Sequence, residues 1–299
     1  LGFSIQDSIK YTFLIGYVLS SLAMYLFLRS KFSRLASITG TVFYCFAPNR
    51  FLNIFVRAAI GDATAYIFLP FLFLSVIRIK ESGKLLWKYI IFGSFSFAGL
   101  LLSHAMVFAV FMLMVGLYFI LTVIKHSKRI IYLKSFVLVI FFGLCISSYY
   151  FIPSLIERND TKFSDTMNGL FIGHTFVDIK KLLYSPWGYG SADAVEGAMS
   201  FQLGIGQWTV ISLAVILLVL QTTFFRRKNK QYSGEGIIIS ILIFFFIILT
   251  QPVSLPFWKV LSKYILIDFS WRVMPVLIFL IAYLSSILID LIRHKKLQL

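Results

Sequence analysis

The sequence predicts an all-α fold, a polytopic transmembrane helical bundle of about nine spans. It forms a single domain over residues 1–299, with a long extracytoplasmic loop at 153–206. Three observations predict this. Hydrophobic residues make up 59% of the chain and charged residues 13%, about half the charged share of an ordinary soluble domain, so water could not solvate a fold with this much apolar surface. The apolar residues fall into long runs bounded by charges. The basic residues gather between alternate runs.

The first run covers 8–28 and the second, shorter, covers 35–47 and stops at Pro48. The third covers 63–79. Residues 85–124 are too many for one crossing, which takes roughly 20 residues, and the run is split at Ser103-His104, its strongly polar pair. A run at 135–152 is expected to end at Pro153. After a long polar segment come runs at 207–225, 237–250 and 273–292.

The positive-inside rule orients these runs. One set of loops carries Arg29, Lys31 and Arg34; Arg78, Lys80, Lys84 and Lys88; Lys125, Lys128, Arg129 and Lys134; Arg226, Arg227, Lys228 and Lys230; and Arg293, Lys295 and Lys296. That is 18 of the 28 basic residues, against the acids Glu81, Glu235 and Asp290. The other side is nearly neutral. The expected topology is an integral membrane chain with an outside N-terminus and a cytoplasmic C-terminus. The net charge of +16 is therefore a membrane signature and not a nucleic-acid face, and the basic loops need only set topology and meet anionic lipid. Trp208, Trp258 and Trp271 fall near outer boundaries and Trp87 near an inner one, as an aromatic belt requires. Cys45 and Cys145 lie inside apolar runs and read as small core residues. The chain starts at Leu1, which fits a fragment whose upstream part carried a further span.

Ionisable groups at a membrane boundary are costly, so the expected outer face is where chemistry is sought. In the stretch from Ala47 to Asp62, Arg50, Asn53 and Arg57 are spaced i, i+3, i+7. On a helix they form one polar stripe, which predicts a short interfacial helix with two guanidinium groups facing one way. Guanidinium matches phosphate oxygens bidentately, so a lipid phosphate or pyrophosphate is the natural ligand. The structural alternative is snorkelling to headgroups with an Arg57–Asp62 pair, Asp62 capping the next helix. His104 sits at the tip of a tight helix pair. Arg272, in Asp268-Phe269-Ser270-Trp271-Arg272, is a third phosphate contact. The 153–206 segment holds Glu157, Asp160, Asp165, His174, Asp178, Asp193 and Glu196, with Trp187, Tyr189 and Gln202 among turn-forming glycines. Aromatic rings beside polar groups suit sugar faces, or rest on the bilayer. No spacing matches a metal, P-loop or dinucleotide motif; no cofactor is evident, and a divalent metal is compatible with the chemistry without being implied by it.

Ala47-Pro48-Asn49-Arg50, followed by Val56-Arg57 and Gly61-Asp62, resembles the bacterial membrane-protein family labelled "6-pyruvoyl-tetrahydropterin synthase related". So do Leu102-Ser103-His104; Tyr150-Phe151-Ile152-Pro153-Ser154-Leu155-Ile156-Glu157; Ser185-Pro186-Trp187-Gly188-Tyr189-Gly190; Ser200-Phe201-Gln202-Leu203-Gly204; and Phe269-Ser270-Trp271-Arg272. Asp62 stands where glutamate is expected, and Ala58 where glycine is commoner. The pterin label does not describe this chain, whose four histidines are scattered. The family is similar to the GT-C superfamily of membrane glycosyltransferases. That resemblance implies a GT-C-like bundle in the bacterial plasma membrane. It further implies a polyprenyl-phosphate-linked sugar donor used at the outer face and a glycan or protein acceptor. It places the catalytic base in the first outer loop, hence upstream of Leu1, with Glu157 as the candidate inside this chain. Arg50, Arg57 and Arg272 then hold phosphate, Asp62 orients Arg57, and Asn53, His104, Trp187, Tyr189 and Gln202 support or line the cavity. Two rival classes remain, a lipid-linked-glycan transporter or flippase and a non-catalytic scaffold of the same fold. Transport favours ionisable groups deep within spans, whereas those here lie at the ends.

Overall fold

The computed structural model describes residues 2, 4–124, 126–160, 176–192, 196–223, 230–261 and 267–296, with the main chain alone at 158, 159, 218–223, 230–233 and 293–296. Of the residues singled out above, Leu1, Lys125, Asp165, His174, Asp193, Arg226, Arg227 and Lys228 lie outside these. Twelve α-helices are present among the described residues: α1 (Ile5–Arg29), α2 (Arg34–Cys45), α3 (Pro48–Phe51), α4 (Ile60–Ser82), α5 (Trp87–Ser103), α6 (Ala105–Val123), α7 (Arg129–Ile156), α8 (Ile179–Leu183), α9 (Ile205–Thr223), α10 (Lys230–Leu249), α11 (Leu255–Leu261) and α12 (Met274–Lys296). A π-helical turn, Leu52–Val56, follows α3 directly.

Each apolar run contains a helix among the described residues, but these helices differ in length. Ile5–Arg29, Ile60–Ser82, Ala105–Val123, Arg129–Ile156 and Ser270–Ile292 are long and apolar enough to cross a bilayer. A sixth candidate is a bent pair, Gly234–Leu249 with Pro252–Leu261, turned by 91° at its break. α2 has 12 residues, about 18 Å of rise against a hydrocarbon core of about 30 Å. The chain is thus a helical polytopic membrane protein with five to six candidate spans.

Local chemistry fixes the breaks. Ser4 caps α1 by accepting from the Asp7 amide. Ser33 caps α2 and also donates to Asp290 on α12 at 2.5 Å, while its amide donates to the other oxygen of that carboxylate at 2.9 Å. α4 ends at Gly83, whose φ of 56° is the left-handed stop that glycine takes without a Cβ penalty. His104 has extended backbone and separates α5 from α6 where the polar pair marked the split. Pro153 does not end α7 as expected; the helix runs on to Ile156. A proline this close to a helix end removes one amide bond and leaves only a few residues to reorganise.

α12 is the centre of the bundle. Its side chains are almost all buried from Val273 to Leu291, and it packs against α2, α6, α9 and α10. A mainly apolar helix buried on every side over this stretch is a core helix. Small residues let backbones approach it: a Cβ on Gly40 of α2 would fall 2.2 Å from Ser286 Oγ and 2.7 Å from the Ala282 carbonyl. Cys45 is buried, but Cys145 is exposed on α7 and is not a core residue.

Candidate functional site

The beginnings of α4, α6 and α12 meet at one end of the bundle, and each brings a charged or titratable side chain. Asp62 lies in the first turn of α4 and is 2% exposed. It does not cap that helix; Ala59 occupies the cap position without a side-chain bond. Its carboxylate instead collects three partners. Arg57 Nη1 donates to Oδ2 at 2.7 Å, Arg272 Nη1 reaches the same oxygen at 3.4 Å, and His104 Nε2 lies 3.4 Å from Oδ1. Gly61 allows this approach, since a Cβ there would stand 2.7 Å from the Ser103 carbonyl and 3.1 Å from the His104 ring.

The surrounding residues hold the arginines apart. Arg272 makes a bidentate pair with Asp268, Nε to Oδ1 at 2.8 Å and Nη2 to Oδ2 at 2.7 Å. The Trp271 ring sits beneath both guanidinium groups, 4.5 Å from Arg57 and 5.1 Å from Arg272, and is itself stacked on Phe269 at 4.7 Å. Trp271 and Trp258 are buried, so neither belongs to an aromatic belt. Arg57 Nη1 also donates to Asn53 Oδ1 at 2.6 Å. Burial pushes the Arg57 pKa down, and the Asp62 carboxylate beside it pulls the value back up. His104 is lowered mainly by burial, opposed by Asp62. Val107 N–H approaches its Nδ1 at 3.5 Å, and its Nε2 faces both Asp62 Oδ1 at 3.4 Å and Arg272 Nη1 at 3.3 Å.

The π turn breaks the anticipated stripe. The extra residue per turn rotates Arg57 away from Arg50, and the two guanidinium groups end in different surroundings. Arg50 is 2% exposed and boxed by three rings, Tyr17 at 4.8 Å, Tyr44 at 5.0 Å and Tyr66 at 4.6 Å. Its Nη2 donates to Ser20 on α1 at 2.5 Å, while Nη1 has no hydrogen-bond partner among the described residues. Asn53 links the two environments by donating to Asn49 at 3.4 Å.

The structure therefore gathers Asn53, Arg57, Asp62, His104 and Arg272 and sets Arg50 behind them. Trp187 and Tyr189 sit outside this cluster, edge to face with one another and exposed on the strap between α8 and α9. Gln202 is half-buried on that strap, next to Phe201, whose ring meets Trp271 at 5.9 Å. Glu157 is exposed at the end of α7. One feature was missed, the tyrosine box, which comes from three separate elements and leaves no local pattern. The Asp268–Arg272 pair was legible from its i, i+4 spacing. Among the described residues, no group of three His, Cys, Asp or Glu side chains is placed to hold a metal.

A second cluster closes the opposite end. Glu235 of α10 pairs with Lys31 at 2.9 Å and Lys80 at 3.6 Å, and accepts from Tyr118 at 2.7 Å and Tyr283 at 2.9 Å. Lys80 in turn donates to Tyr118, and Lys31 to Tyr283 at 2.9 Å. Lys31 and Lys80 are thus mostly buried in an ion network, not spread on lipid.

Comparison of the chain with protein-family models, curated proteins and solved structures gave no match in any of the three.

Proposed function

We propose that the chain is a GT-C-like glycosyltransferase whose Arg57–His104–Arg272 corner receives the phosphate of a polyprenyl-phosphate-linked sugar. One observation carries the reading. Arg57 donates to Asn53 and Asp62 through Nη1 alone and keeps Nε and Nη2 without a partner among the described residues. Guanidinium donors left unmet at the boundary of an apolar bundle are costly unless an anion completes them. The side-chain exposures, 18% for Arg57 and 22% for His104 against 10% for Arg272, mark the approach from the Arg57 and His104 side.

The roles then divide. Arg57 contacts the phosphate, where positive charge stabilises a departing lipid phosphate. Arg272 is committed to Asp268 and braces the corner. Asp62 orients Arg57 and His104; with Oδ2 shared by two arginines and Oδ1 facing His104, it is poorly placed to take a proton from an acceptor hydroxyl. The resemblance to the "6-pyruvoyl-tetrahydropterin synthase related" family supplies the sugar-transfer half of the proposal, and the unmet Arg57 donors supply the phosphate half.

The test is binding of a prenyl-phosphate sugar to the full-length protein in lipid nanodiscs, followed by assay of donor hydrolysis and transfer. Replacing Arg57 with Ala weakens binding by about 1.5–3 kcal/mol, the worth of a hydrogen bond to a charged group. Lysine restores only part, because it lacks the planar fork. Unchanged affinity in a folded Arg57→Ala protein sinks the phosphate site. Binding without turnover points to the scaffold class, and lipid translocation in vesicles to the flippase class.

A further inference from the structure

The break after α10 leaves an apolar face exposed at the Asp62 end of the bundle. α10 has 20 residues, about 30 Å of rise, and matches the depth of the hydrocarbon core by itself. The chain then turns by 91°, so the turn Pro252–Ser254 and α11 lie across the end of α10, along the plane of the bilayer. One face of this segment is fastened to α10: Ser254 Oγ and Trp258 Nε1 both donate to the Leu249 carbonyl, at 3.1 and 2.9 Å. The opposite face is apolar and open, with Val253 74% and Val260 60% exposed and Pro256 between them.

The strap that leads to α9 extends the same surface. Val177 is tied to the break twice: its N–H donates to the Thr250 carbonyl at 3.0 Å, and its carbonyl accepts from Gln251 Nε2 at 2.9 Å. The Leu182 carbonyl accepts from Trp208 Nε1 and from the Leu203 amide, both at 3.0 Å, which fixes α8 against the start of α9. Between these ties Ile179, Leu183 and Tyr184 point outward, with Lys180 and Lys181 exposed among them. Aliphatic and aromatic side chains mixed with lysines are what a surface-lying membrane segment carries, and water disfavours such a face.

We propose that α11 and the strap through α8 form a collar seated in the lipid headgroup layer, with the phospholipid surface as its partner. The apolar face rests on the tops of the acyl chains, and Lys180 and Lys181 meet the phosphates. The lysines also keep the collar from sinking into the core, where an ammonium group is costly. Phe201 on the same strap meets the Trp271 ring at 5.9 Å, and Trp271 lies 4.5 Å from Arg57, so the collar and the arginine corner are joined. The collar stands independently of the anion-binding reading of Arg57.

Fluorescence quenching of the full chain in nanodiscs tests it. With Cys45 and Cys145 replaced by alanine, bimane is attached to Val253→Cys, Val260→Cys or Tyr184→Cys in turn. These side chains are exposed, so the label displaces nothing in the bundle. Reference labels go on Lys84→Cys, in the loop after α4, and on Phe141→Cys, halfway along α7. Lipids carry a nitroxide on the headgroup, high on the acyl chain or at its end, and iodide reports water. A surface segment lies about 5–10 Å into the boundary, so the collar labels are quenched most by the headgroup and upper-chain nitroxides. Iodide quenches them less than the Lys84 label, and the Phe141 label responds most to the chain-end nitroxide. Strongest chain-end quenching at Val253 or Val260 means that α11 re-enters the core, and overturns the proposal. Iodide quenching equal to that at Lys84, without lipid quenching, means that the face meets water or a soluble partner, and overturns it as well. Interfacial quenching on α11 but not at Tyr184 also overturns it, since the strap is then no part of the collar.

Discussion

The two ends of the bundle solve the same electrostatic problem differently. Three helices run from one cluster to the other: α4 carries Asp62 at its start and Lys80 near its end, α6 starts beside His104 and reaches Tyr118, and α12 follows Arg272 and reaches Tyr283. At the Glu235 end, two lysines and two tyrosines saturate one carboxylate. At the Asp62 end, one arginine keeps donors to spare and another is boxed without a carboxylate. The contrast distinguishes a staple from the proposed site: a network closed on itself holds helices together, and one with donors left unmet is open to a ligand.

The most decisive check on this comparison is all-or-none. The positive-inside rule predicts the Glu235 end in the cytosol and the Asp62 end outside. With Cys45 and Cys145 replaced by alanine, a cysteine at Asp178 reacts with an impermeant maleimide on intact cells, and one at Lys84 reacts only after permeabilisation. The reverse pattern inverts the assignment of both clusters.

Next in size is the staple itself. Glu235→Ala strands the mostly buried Lys80 and leaves Lys31 only its longer pair with Glu81 at 3.7 Å, and costs about 3–5 kcal/mol of stability, the penalty for breaking a buried ion pair from one side. The loss is read as a lower melting temperature in detergent. At temperatures where the variant is still folded, anion affinity at the Asp62 end stays unchanged. Equal damage to both ends would mean that the two clusters form one cooperative unit and that the distinction between them is false. Gly40→Val tests the packing between them and is smaller, about 1–3 kcal/mol, because the added atoms drive into Ser286 and the Ala282 carbonyl on α12.

The helices were legible because apolar runs and their charged borders are local features. The break at Ser103-His104 was visible for the same reason. The central place of α12 was not, since lipid-facing and bundle-facing residues are equally apolar and hydropathy cannot tell a core helix from a peripheral one. Within the site, Arg57 with Asp62 was readable at five residues' separation. The meeting of Asp62 with Arg272 spans 210 residues, and only the cost of ionisable groups at helix ends pointed to each separately. The Arg50–Arg57 stripe failed because regular helical spacing was assumed through a segment that winds as a π turn.

The smallest effect concerns the backbone that aims Arg57. Ala58, directly after it, has φ of 47°, the one positive value at a non-glycine residue among those described. The chain needs this turn: Ala59 N–H reaches back to the Asn53 carbonyl at 2.8 Å, closing the π segment before α4 begins. A left-handed alanine costs about 1–2 kcal/mol, partly offset by the greater entropy that a glycine would lose on folding. Ala58→Gly therefore raises stability by about 0.5–1 kcal/mol, and anion affinity stays within about twofold because Arg57 keeps Asn53, Asp62 and Trp271. Ala59→Gly is the control. Ala59 has φ of −85°, where alanine is unstrained, and glycine there adds only unfolded-state entropy and lowers stability. The pair of melting curves gives opposite signs if the turn is as described. If both variants lose stability, residue 58 is not left-handed in the folded protein, and the orientation given to Arg57 falls with it.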